Sequence, residues 1–434
     1  MLENTTIFFI VNMISAIPYS LVTPLLPTLS QKENFSETVL GFIISLFPLA
    51  VTLFSTVVPI LCKKYSRFKL LSFVTFFEAV MTVLYGILIY IPNKIMLLII
   101  IFIIRTIHGI CAGTIGTLVY SLTISFAEKG KTQTSLGRLE IAYTLGSSIG
   151  LLIASAFYKI GGYPLPFFVG GCFTFASFYL TFQINEKNMK KDSDEKEGDD
   201  NYNYLKYLLN PEIYSILIGF VVVMINVTYF APSFSNHLSN NYSISVSTAS
   251  LIYMTPMIPY MVIMQFLDML TSKFGNYLIF IIGVTIIGIS SLMIYPVPPL
   301  PQSFIVIVIG FLICGCAGVP VFIPGLVMLA KNIKKSDKSI DEMSANDIAS
   351  VLNTLCQELG DFIGPILGGY ISERLGFKVC CIIVSIIELT YAAIFILFFY
   401  DKIKHDFKMI GHEKKLESKV DDKEDNETKH FKNN

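Results

Sequence analysis

Charged side chains are scarce in this sequence: only 15% of its 434 residues are Asp, Glu, Lys or Arg, whereas 53% are hydrophobic. So small a polar fraction cannot cover the surface of an ordinary soluble protein, and it predicts a chain that lies in a bilayer. Positive charge is not in surplus either, because 32 basic residues balance 32 acidic ones. Without an excess of positive charge to meet phosphates, a nucleic-acid partner is excluded.

Patterns for metal binding, nucleotide binding and nucleophilic catalysis are also lacking. The eight cysteines lie in or against apolar stretches, where they behave as small hydrophobes, and Cys314-x-Cys316 has no histidine-rich partner that would complete a metal site. No Gly-x4-Gly-Lys-Ser/Thr motif is present, so ATP is not expected as the energy source. We therefore predict no cofactor, no metal and no enzymatic activity.

Long apolar runs take the place of these motifs. A helix that crosses a bilayer needs about 20 mostly apolar residues. Twelve such runs occur, numbered here as spans 1 to 12: 5–29, 38–62, 69–91, 95–124, 135–159, 164–184, 211–236, 246–270, 276–296, 303–330, 345–372 and 377–400. The first lacks a basic segment before it and a cleavage site after it, so we expect it to stay in the membrane. The sequence thus predicts an all-α membrane protein with twelve transmembrane helices.

The two halves of the chain repeat one another at an offset of 214 residues, the separation of Gly146 and Gly360. Two motifs recur at this offset: Leu145-Gly146-x-x-Ile149-Gly150 as Leu359-Gly360-x-x-Ile363-Gly364, and Asn12-x5-Pro18 as Asn226-x5-Pro232. A repeat of this kind predicts two pseudo-symmetric halves of six helices each.

Two charged stretches divide and end the chain. The segment EKNMKKDSDEKEGDD, at 186–200, and the residues after 400 mix both signs of charge and cannot bury enough apolar area to order themselves. We therefore predict an N-terminal half at 1–184, a charged linker at 185–210, a C-terminal half at 211–400 and a disordered tail at 401–434.

Basic residues are concentrated in the short loops on one side of the predicted spans. Loops after spans 2, 4, 8 and 10 hold twelve of them, whereas loops on the other side hold five, namely Lys32, Lys94, Lys159, Arg374 and Lys378. By the positive-inside rule, both termini, the linker and the tail are cytoplasmic. An endomembrane vesicle and the plasma membrane both fit this orientation.

Several motifs resemble those of a transporter family. Arg105-x-x-His108-Gly109 in span 4 resembles the R-x-x-Q-G signature of the major facilitator superfamily, and Gly364-Pro365-x-x-Gly368-Gly369 in span 11 resembles its G-P-x-x-G-G element. The stretches YSLVTPLLP, LGRLEIAYTLGSSIG, GGYPLPFFVGGC and YPVPPL, which begin at 19, 136, 161 and 295, resemble the vesicular amine transporters, and best their vesicular polyamine transporter branch.

The resemblance implies a monomeric transporter that works by alternating access. Its implied partners are the lipid bilayer, protons and a small-molecule substrate, here a small organic cation such as a polyamine exchanged for protons. Two other readings stay open. An uncoupled facilitator or exporter of neutral solutes is favoured by Asn12, which stands where monoamine transporters of the family carry an acid. A non-transporting sensor or scaffold is favoured by the degenerate loop PILCKKYSRFKLL after span 2.

Ionisable side chains in mid-membrane are costly unless they are paired or hydrated, so each is a candidate functional residue. They are Glu78, Arg105, His108, Glu140, Glu358, Asp361 and Glu388. Because span 5 follows span 4 directly, we expect Arg105 and Glu140 to form a couple. Proton or substrate binding would loosen that couple, unless it is a permanent ion pair that locks the two helices.

The remaining acids and the histidine have two interpretations each. Glu358 and Asp361, one turn apart, share a helix face and would carry a proton or bind an amine, or would simply be hydrated in a vestibule. His108 would titrate in an acidic vesicle, or would stay neutral in the helix packing. Glu78 and Glu388 are expected to face neighbouring helices, away from the centre.

Uncharged candidates complete the prediction. Asn12, Tyr19 and Asn226, on spans 1 and 7, would line the substrate cavity or act as polar contacts between helices. Gly-x-x-x-Gly pairs, here on helices that would face the other half, allow two helix backbones to approach closely, and a proline breaks the hydrogen-bond ladder of its helix. Together these features predict either a hinge or gate, or ordinary packing, at Gly146, Gly150, Gly360, Gly364 and Pro365.

Overall fold

A computed structural model describes residues 3–126, 132–184, 204–340 and 342–406, and every regular element in these ranges is helical. The helices are α1 (Asn4–Lys32), α2 (Glu37–Lys64), α3 (Arg67–Ile87), α4 (Lys94–Phe126), α5 (Thr132–Gly161), α6 (Pro164–Thr181), α7 (Tyr204–Leu208), α8 (Pro211–Thr228), α9 (Phe234–Tyr242), α10 (Val246–Met254), α11 (Met257–Phe274), α12 (Asn276–Ile294), α13 (Phe304–Ser336), α14 (Glu342–Leu375) and α15 (Phe377–Phe398). A 3₁₀ turn at Leu88–Tyr90 extends α3.

Eleven segments of the described chain are long and apolar enough to cross a membrane. One of them, Val246–Phe274, is span 8, which is divided into α10 and α11. The predicted span 11 is α14, which has 34 residues but is less apolar because it carries acids such as Glu358 and Asp361. With α14 counted, each of the twelve predicted spans contains a helix, although span 7 is helical only to Thr228 and continues in turns at 229–233 before α9. The prediction of an all-α membrane protein is confirmed.

The helices pack in two groups. In the first, α1 lies against α5 and α6, α2 against α4, and α3 against α4 and α6. In the second, α8 lies against α13, α14 and α15, and α12 against α13 and α15. Each group encloses its own apolar core, for example around Leu21 and Phe167 in the first and around Phe220 and Phe280 in the second. The exact boundaries of the two halves stay predictions.

The repeated glycines bring helices of the same group together. A Cβ on Gly146 would lie 1.7 Å from the carbonyl oxygen of Met13, and one on Gly150 would lie 2.0 Å from Ser20 Oγ, so α5 packs directly on α1. Gly360 and Gly364 do the same for α14 on α8. The helices that carry these glycines do contact the other group, α5 through α10 and α14 through α2, as predicted. The glycines themselves meet helices of their own group, which fits ordinary packing, and a hinge or gate at these positions stays a prediction.

Several contacts between the groups lie at one end of the bundle, which we call the far face; the linker face is the opposite end, where α1 begins. A Cβ on Gly41 of α2 would lie 2.2 Å from the carbonyl oxygen of Pro365 on α14, so Pro365 does lie between the groups. Ser233 Oγ donates to Glu37 Oε2 at 2.6 Å, and the backbone N–H of Thr38 donates to Glu373 Oε2 at 3.0 Å. These contacts close the far face.

The linker face holds ordered structure at the ends of the predicted linker and tail. Residues 185–203 and 407–434 lie outside the described residues, but α7 and residues 401–406 do not. Tyr207 of α7 is buried, and Asp406 Oδ2 accepts hydrogen bonds from the N–H groups of Tyr277 and Leu278 at the start of α12. The prediction of a disordered tail is therefore wrong for 401–406, because these residues satisfy otherwise unpaired amides at a helix start.

Candidate functional site

The centre of the bundle joins the two groups through a tyrosine and an acid. Tyr19 Oη on α1 donates a hydrogen bond to Asp361 Oδ2 on α14 at 3.5 Å. Glu358 lies one helical turn before Asp361, and the side chains of both acids are half-buried. Two sets of predicted residues, the cavity-lining Tyr19 and the acid pair, are thus brought together, and they meet where the first group faces the second.

Arg105 lies behind Tyr19 and is almost completely buried, with 2% of its surface exposed. Its guanidinium is 4.6 Å from the ring centroid of Phe47 and 5.9 Å from that of Tyr19, and Nη2 donates to the carbonyl oxygen of Ile44 at 3.3 Å. Nε and Nη1 have no hydrogen-bond partner among the described residues. Its positive charge is close enough to act on Asp361, so Tyr19 is sandwiched between a cation and an acid.

Local packing explains how Phe47 comes to cover Arg105. Gly109 follows Arg105 by one turn on α4, and a Cβ there would lie 2.6 Å from the carbonyl oxygen of Phe47. The missing side chain lets α2 approach α4 closely, and the Phe47 ring then lies over the guanidinium. The motif Arg105-x-x-His108-Gly109 therefore combines a buried cation with the glycine that allows its aromatic cover.

His108 belongs to the packing of the first group. It is fully buried, its Nδ1 lies 3.4 Å from Tyr85 Oη, and its ring contacts Phe47 at a centroid distance of 4.9 Å. Nε2 has no partner among the described residues. These contacts fit the reading in which a neutral His108 is held in the helix packing.

The predicted couple of Arg105 and Glu140 is wrong, both as a switch and as a permanent ion pair. Glu140 Oε1 instead accepts a hydrogen bond of 2.5 Å from Tyr120 Oη. Tyr120 follows Arg105 by 15 residues on the same helix, which separates them by about 22 Å along the axis. The cause is the register of two antiparallel helices: Arg105 lies 21 residues before the end of α4, whereas Glu140 lies only eight residues after the start of α5.

Three tyrosines lie in electrostatic range of Glu140, and none of them was predicted from the sequence. Tyr120 of α4, Tyr143 of α5 and Tyr260 of α11 are all close enough to interact electrostatically with its carboxylate. Tyr143 is also in range of Glu358 and Asp361 and remains 38% exposed. The sequence held one signal for this group, since Tyr143 follows Glu140 by three residues and shares its helix face.

Asn12 and Asn226 do not line the centre, which corrects their prediction as cavity residues. Asn12 is 2% exposed and donates from Nδ2 to the carbonyl oxygen of Leu139 at 2.8 Å, joining α1 to α5. Asn226 is 1% exposed and accepts from Ser291 Oγ at 2.6 Å, joining α8 to α12. Both face inward within their own group, so they act as polar contacts between helices.

Glu78 and Glu388 are likewise buried inside the first and second group, at 1% and 0% exposure. Among the described residues, no cluster of three or more His, Cys, Asp or Glu could hold a metal ion. The side chains that meet at the centre are therefore Tyr19, Arg105, Glu358 and Asp361, with Tyr143 in electrostatic range of the two acids. This arrangement of acids and aromatic rings suits an organic cation, since carboxylates supply charge and aromatic faces attract cations.

Comparison with known proteins places this geometry in a family. The sequence model of the Major Facilitator Superfamily matches residues 8–335 and 216–425. The mouse MFS-type transporter SLC18B1 is 23% identical over 375 residues, which cover 83% of this chain and 78% of the relative. The human protein of the same name is 24% identical over 85% of this chain and 80% of its own length.

Solved structures of two transporters share the fold. The nucleoside transporter NupG superposes with a TM-score of 0.73 at 13% identity, over 92% of this chain and 99% of NupG. A bacterial homologue of the human lysosomal transporter Spinster, in an inward-facing and unoccupied conformation, gives a TM-score of 0.72 at 13% identity, over 93% and 97% of the two chains.

Proposed function

Because the chain belongs to the Major Facilitator Superfamily and is a membrane transporter and not an enzyme, we propose that it exchanges protons for a small organic cation by alternating access. The motif resemblance to the vesicular amine transporters makes polyamines and related amines the leading substrates. We further propose that it acts as a monomer with both termini in the cytoplasm, in a vesicle membrane or the plasma membrane.

The observation that carries the proposal is the contact between Tyr19 and Asp361 beside Glu358. Two acids lie there one turn apart, and Arg105, the cation found near them among the described residues, is separated from them by the Tyr19 ring. A carboxylate pair at the membrane centre needs a counter-charge or a proton. An ammonium group would meet that need while the substrate is bound, and protons would meet it while the cavity is empty.

Exchange of protons for the amine follows if both compete for the carboxylate oxygens of Asp361 and Glu358. When a cation binds at Asp361 and Glu358, it displaces the protons that neutralised them, and when it leaves, protons return. Tyr19 lies on the first group and Asp361 on the second, so the hydrogen bond between them can form only while this part of the two groups is close together. Occupancy of the acids is thereby linked to the relative position of the groups, which alternating access requires.

Uptake into liposomes that contain the purified protein tests this function. We expect labelled 1,4-diaminobutane or spermidine to accumulate when the compartment that receives it is acidic, and its uptake to release protons from that compartment. Glu358→Gln and Asp361→Asn should each abolish the dependence of uptake on the pH gradient. Glu33→Gln, which removes an acid at the end of α1 outside the centre, is the matched control.

Two results would replace the proposal by its alternatives. Uptake of neutral solutes that does not respond to a pH gradient would establish a facilitator or exporter of neutral solutes. Binding of amines without any uptake, together with a requirement for the tail in partner binding, would establish a sensor or scaffold.

A further inference from the structure

A short helix at the far face, α9, bridges the two groups. Ser233, which precedes its first turn, does not cap the helix with its side chain; its hydroxyl instead donates across the groups to Glu37 Oε2 at 2.6 Å. The helix also packs against α1 of the first group. Residues 229–233 between α8 and α9 form turns, so the bridge is not a rigid continuation of α8. The position of α9 therefore decides whether this contact between the groups exists.

His237, in the middle of α9, fixes the helix in the second group. Its side chain is buried, and its ring centroid lies 4.9 Å from that of Phe377 at the start of α15 and 5.0 Å from that of Tyr295 after α12. Tyr242, at the end of α9, has its ring centroid 5.8 Å away. These three aromatic residues form what we call the histidine pocket, and α9 cannot leave the second group unless the imidazole leaves this pocket.

The hydrogen bonds of His237 select its neutral form. Asn241 Nδ2 donates to His237 Nδ1 at 2.8 Å and to the carbonyl oxygen of His237 at 3.2 Å. The second bond fixes the orientation of the amide, so Nδ1 is an acceptor and the single proton of the neutral ring lies on Nε2. Nε2 has no hydrogen-bond partner among the described residues. A protonated ring would carry a hydrogen on both nitrogens, and its Nδ1–H would face the N–H group of Asn241.

No counter-charge meets this ring among the described residues. The titratable groups that touch it are the phenols of Tyr242 and Tyr295. In the described part of the chain, no charged side chain of the surrounding elements forms a hydrogen bond or an ion pair with the ring; these side chains are Lys32, Glu33, Glu37, Glu373, Arg374 and Lys378. Burial accordingly lowers the pKa of His237 to about 4, whereas an exposed histidine has a pKa of about 6.5.

We propose that His237 is a pH-sensitive latch of the far face. Protonation drives the imidazole out of the histidine pocket, α9 moves with it, and the contact between Ser233 and Glu37 is lost, so the far face opens when the compartment that it faces becomes acidic. The closed form is fully stabilised above about pH 6.5 and is disfavoured progressively as the pH falls towards about 4. Linkage between the two pKa values favours the open form by about tenfold at pH 5.5 and about thirtyfold at pH 5, relative to pH 8.

Fluorescence of a single tryptophan in the purified full-length protein tests the latch, because the chain contains no tryptophan of its own. Phe35 of the first group and Asn236 and Asn240 of α9 line one cavity of about 400 Å³ at the far face. A reporter introduced as Phe35→Trp is therefore uncovered when α9 moves away. We expect its quenching by acrylamide to rise several-fold, and its emission to shift to longer wavelength, as the pH is lowered from 8 to 5 in the absence of amine.

Variants of the ring and of its amide partner isolate the cause. In the reporter protein, His237→Phe keeps an aromatic ring in the pocket but cannot take up a proton, so quenching should equal that of the reporter protein at pH 8 and stay there down to pH 5. Asn241→Asp places a carboxylate at Nδ1, so the protonated ring should stay in place and the far face should remain closed in acid. His405→Phe, at the linker face, is the matched control and should keep the full transition.

Two results would overturn the inference. Quenching that does not change with pH in the reporter protein would show that acid does not open the far face. A transition that persists in His237→Phe would assign the titration to another group, such as Glu37 or Glu373, the acids that join the groups at the far face. Glu37→Gln, which keeps an acceptor for Ser233, should retain the transition if His237 is the titrating group. Because no amine is present in these measurements, failure of the latch leaves the proposed exchange untouched.

Discussion

Replacing Gly146 by alanine should force α1 and α5 apart. The new Cβ would lie 1.7 Å from the carbonyl oxygen of Met13, whereas ordinary contacts begin at 3.4 Å, so the helices must separate by roughly the difference, 3.4 − 1.7 = 1.7 Å. The atom that it meets belongs to a backbone and cannot rotate away. Overpacking of this kind costs about 1–3 kcal/mol or more, which outweighs the roughly 0.5–1 kcal/mol that alanine gains over glycine inside a helix.

Gly116 supplies the matched control, because it lies in α4 and a Cβ there would meet nothing within 4 Å. Thermal unfolding of the purified protein should show Gly146→Ala several degrees less stable than the wild type and Gly116→Ala unchanged or slightly more stable. The shift of α1 should also weaken substrate binding, because it moves Tyr19 away from Asp361. Equal unfolding temperatures for the two variants would refute the reasoning that Gly146 is required for close packing.

Three further predictions follow from individual contacts. Tyr19→Phe removes the hydrogen bond to Asp361 but keeps the ring over Arg105, so KM for amine uptake should rise several-fold while Tyr19→Ala should be worse; equal effects would mean that the hydroxyl is unimportant. Truncation after Asp406 should leave the unfolding temperature unchanged. Truncation before residue 401 should lower it, because the hydrogen bonds from the start of α12 to Asp406, worth about 1 kcal/mol, are lost. Equal stability of the two truncated proteins would contradict this. The hydrogen bond from Lys206 holds the pKa of Asp337 well below its usual range. The bond therefore stabilises the folded protein at neutral pH, and this contribution is lost as the pH falls below about 4. Asp337→Asn should reduce the loss of folding stability in acid, and an unchanged profile of stability against pH would contradict the assignment.

The membrane-spanning helices and the repeat could be predicted from the sequence because both are local or periodic properties. A bilayer forces every crossing segment to satisfy its backbone hydrogen bonds internally, so a long apolar run in an α-protein becomes a helix whatever its neighbours are. The acids of α14 made it the least apolar of the crossings, yet its apolar run was long enough to predict a span at 345–372, and the glycines that it shares with α5 agree with this. For Tyr19 and the acids Glu358 and Asp361, the sequence predicted only that they belong to the same cavity, and it did not predict which of them are in contact.

Contacts between side chains on different helices could not be predicted, because they depend on axial register and on rotation about each helix axis. Arg105 and Glu140 are close along the chain but about four turns apart on the antiparallel pair. Asn12 and Asn226 share their repeat position, yet both face inward within their own group.

The sequence alone determined that this protein crosses a bilayer twelve times in two related halves and that its few buried charges are the residues to examine. The tertiary structure alone decided which of those charges meet. It placed Asp361 at Tyr19, Arg105 behind that ring and Glu140 at the hydroxyl of Tyr120. The physical reason is that hydropathy fixes where a helix lies, whereas the packing of glycines and bulky residues fixes its height and rotation, and these decide which side chains come into contact.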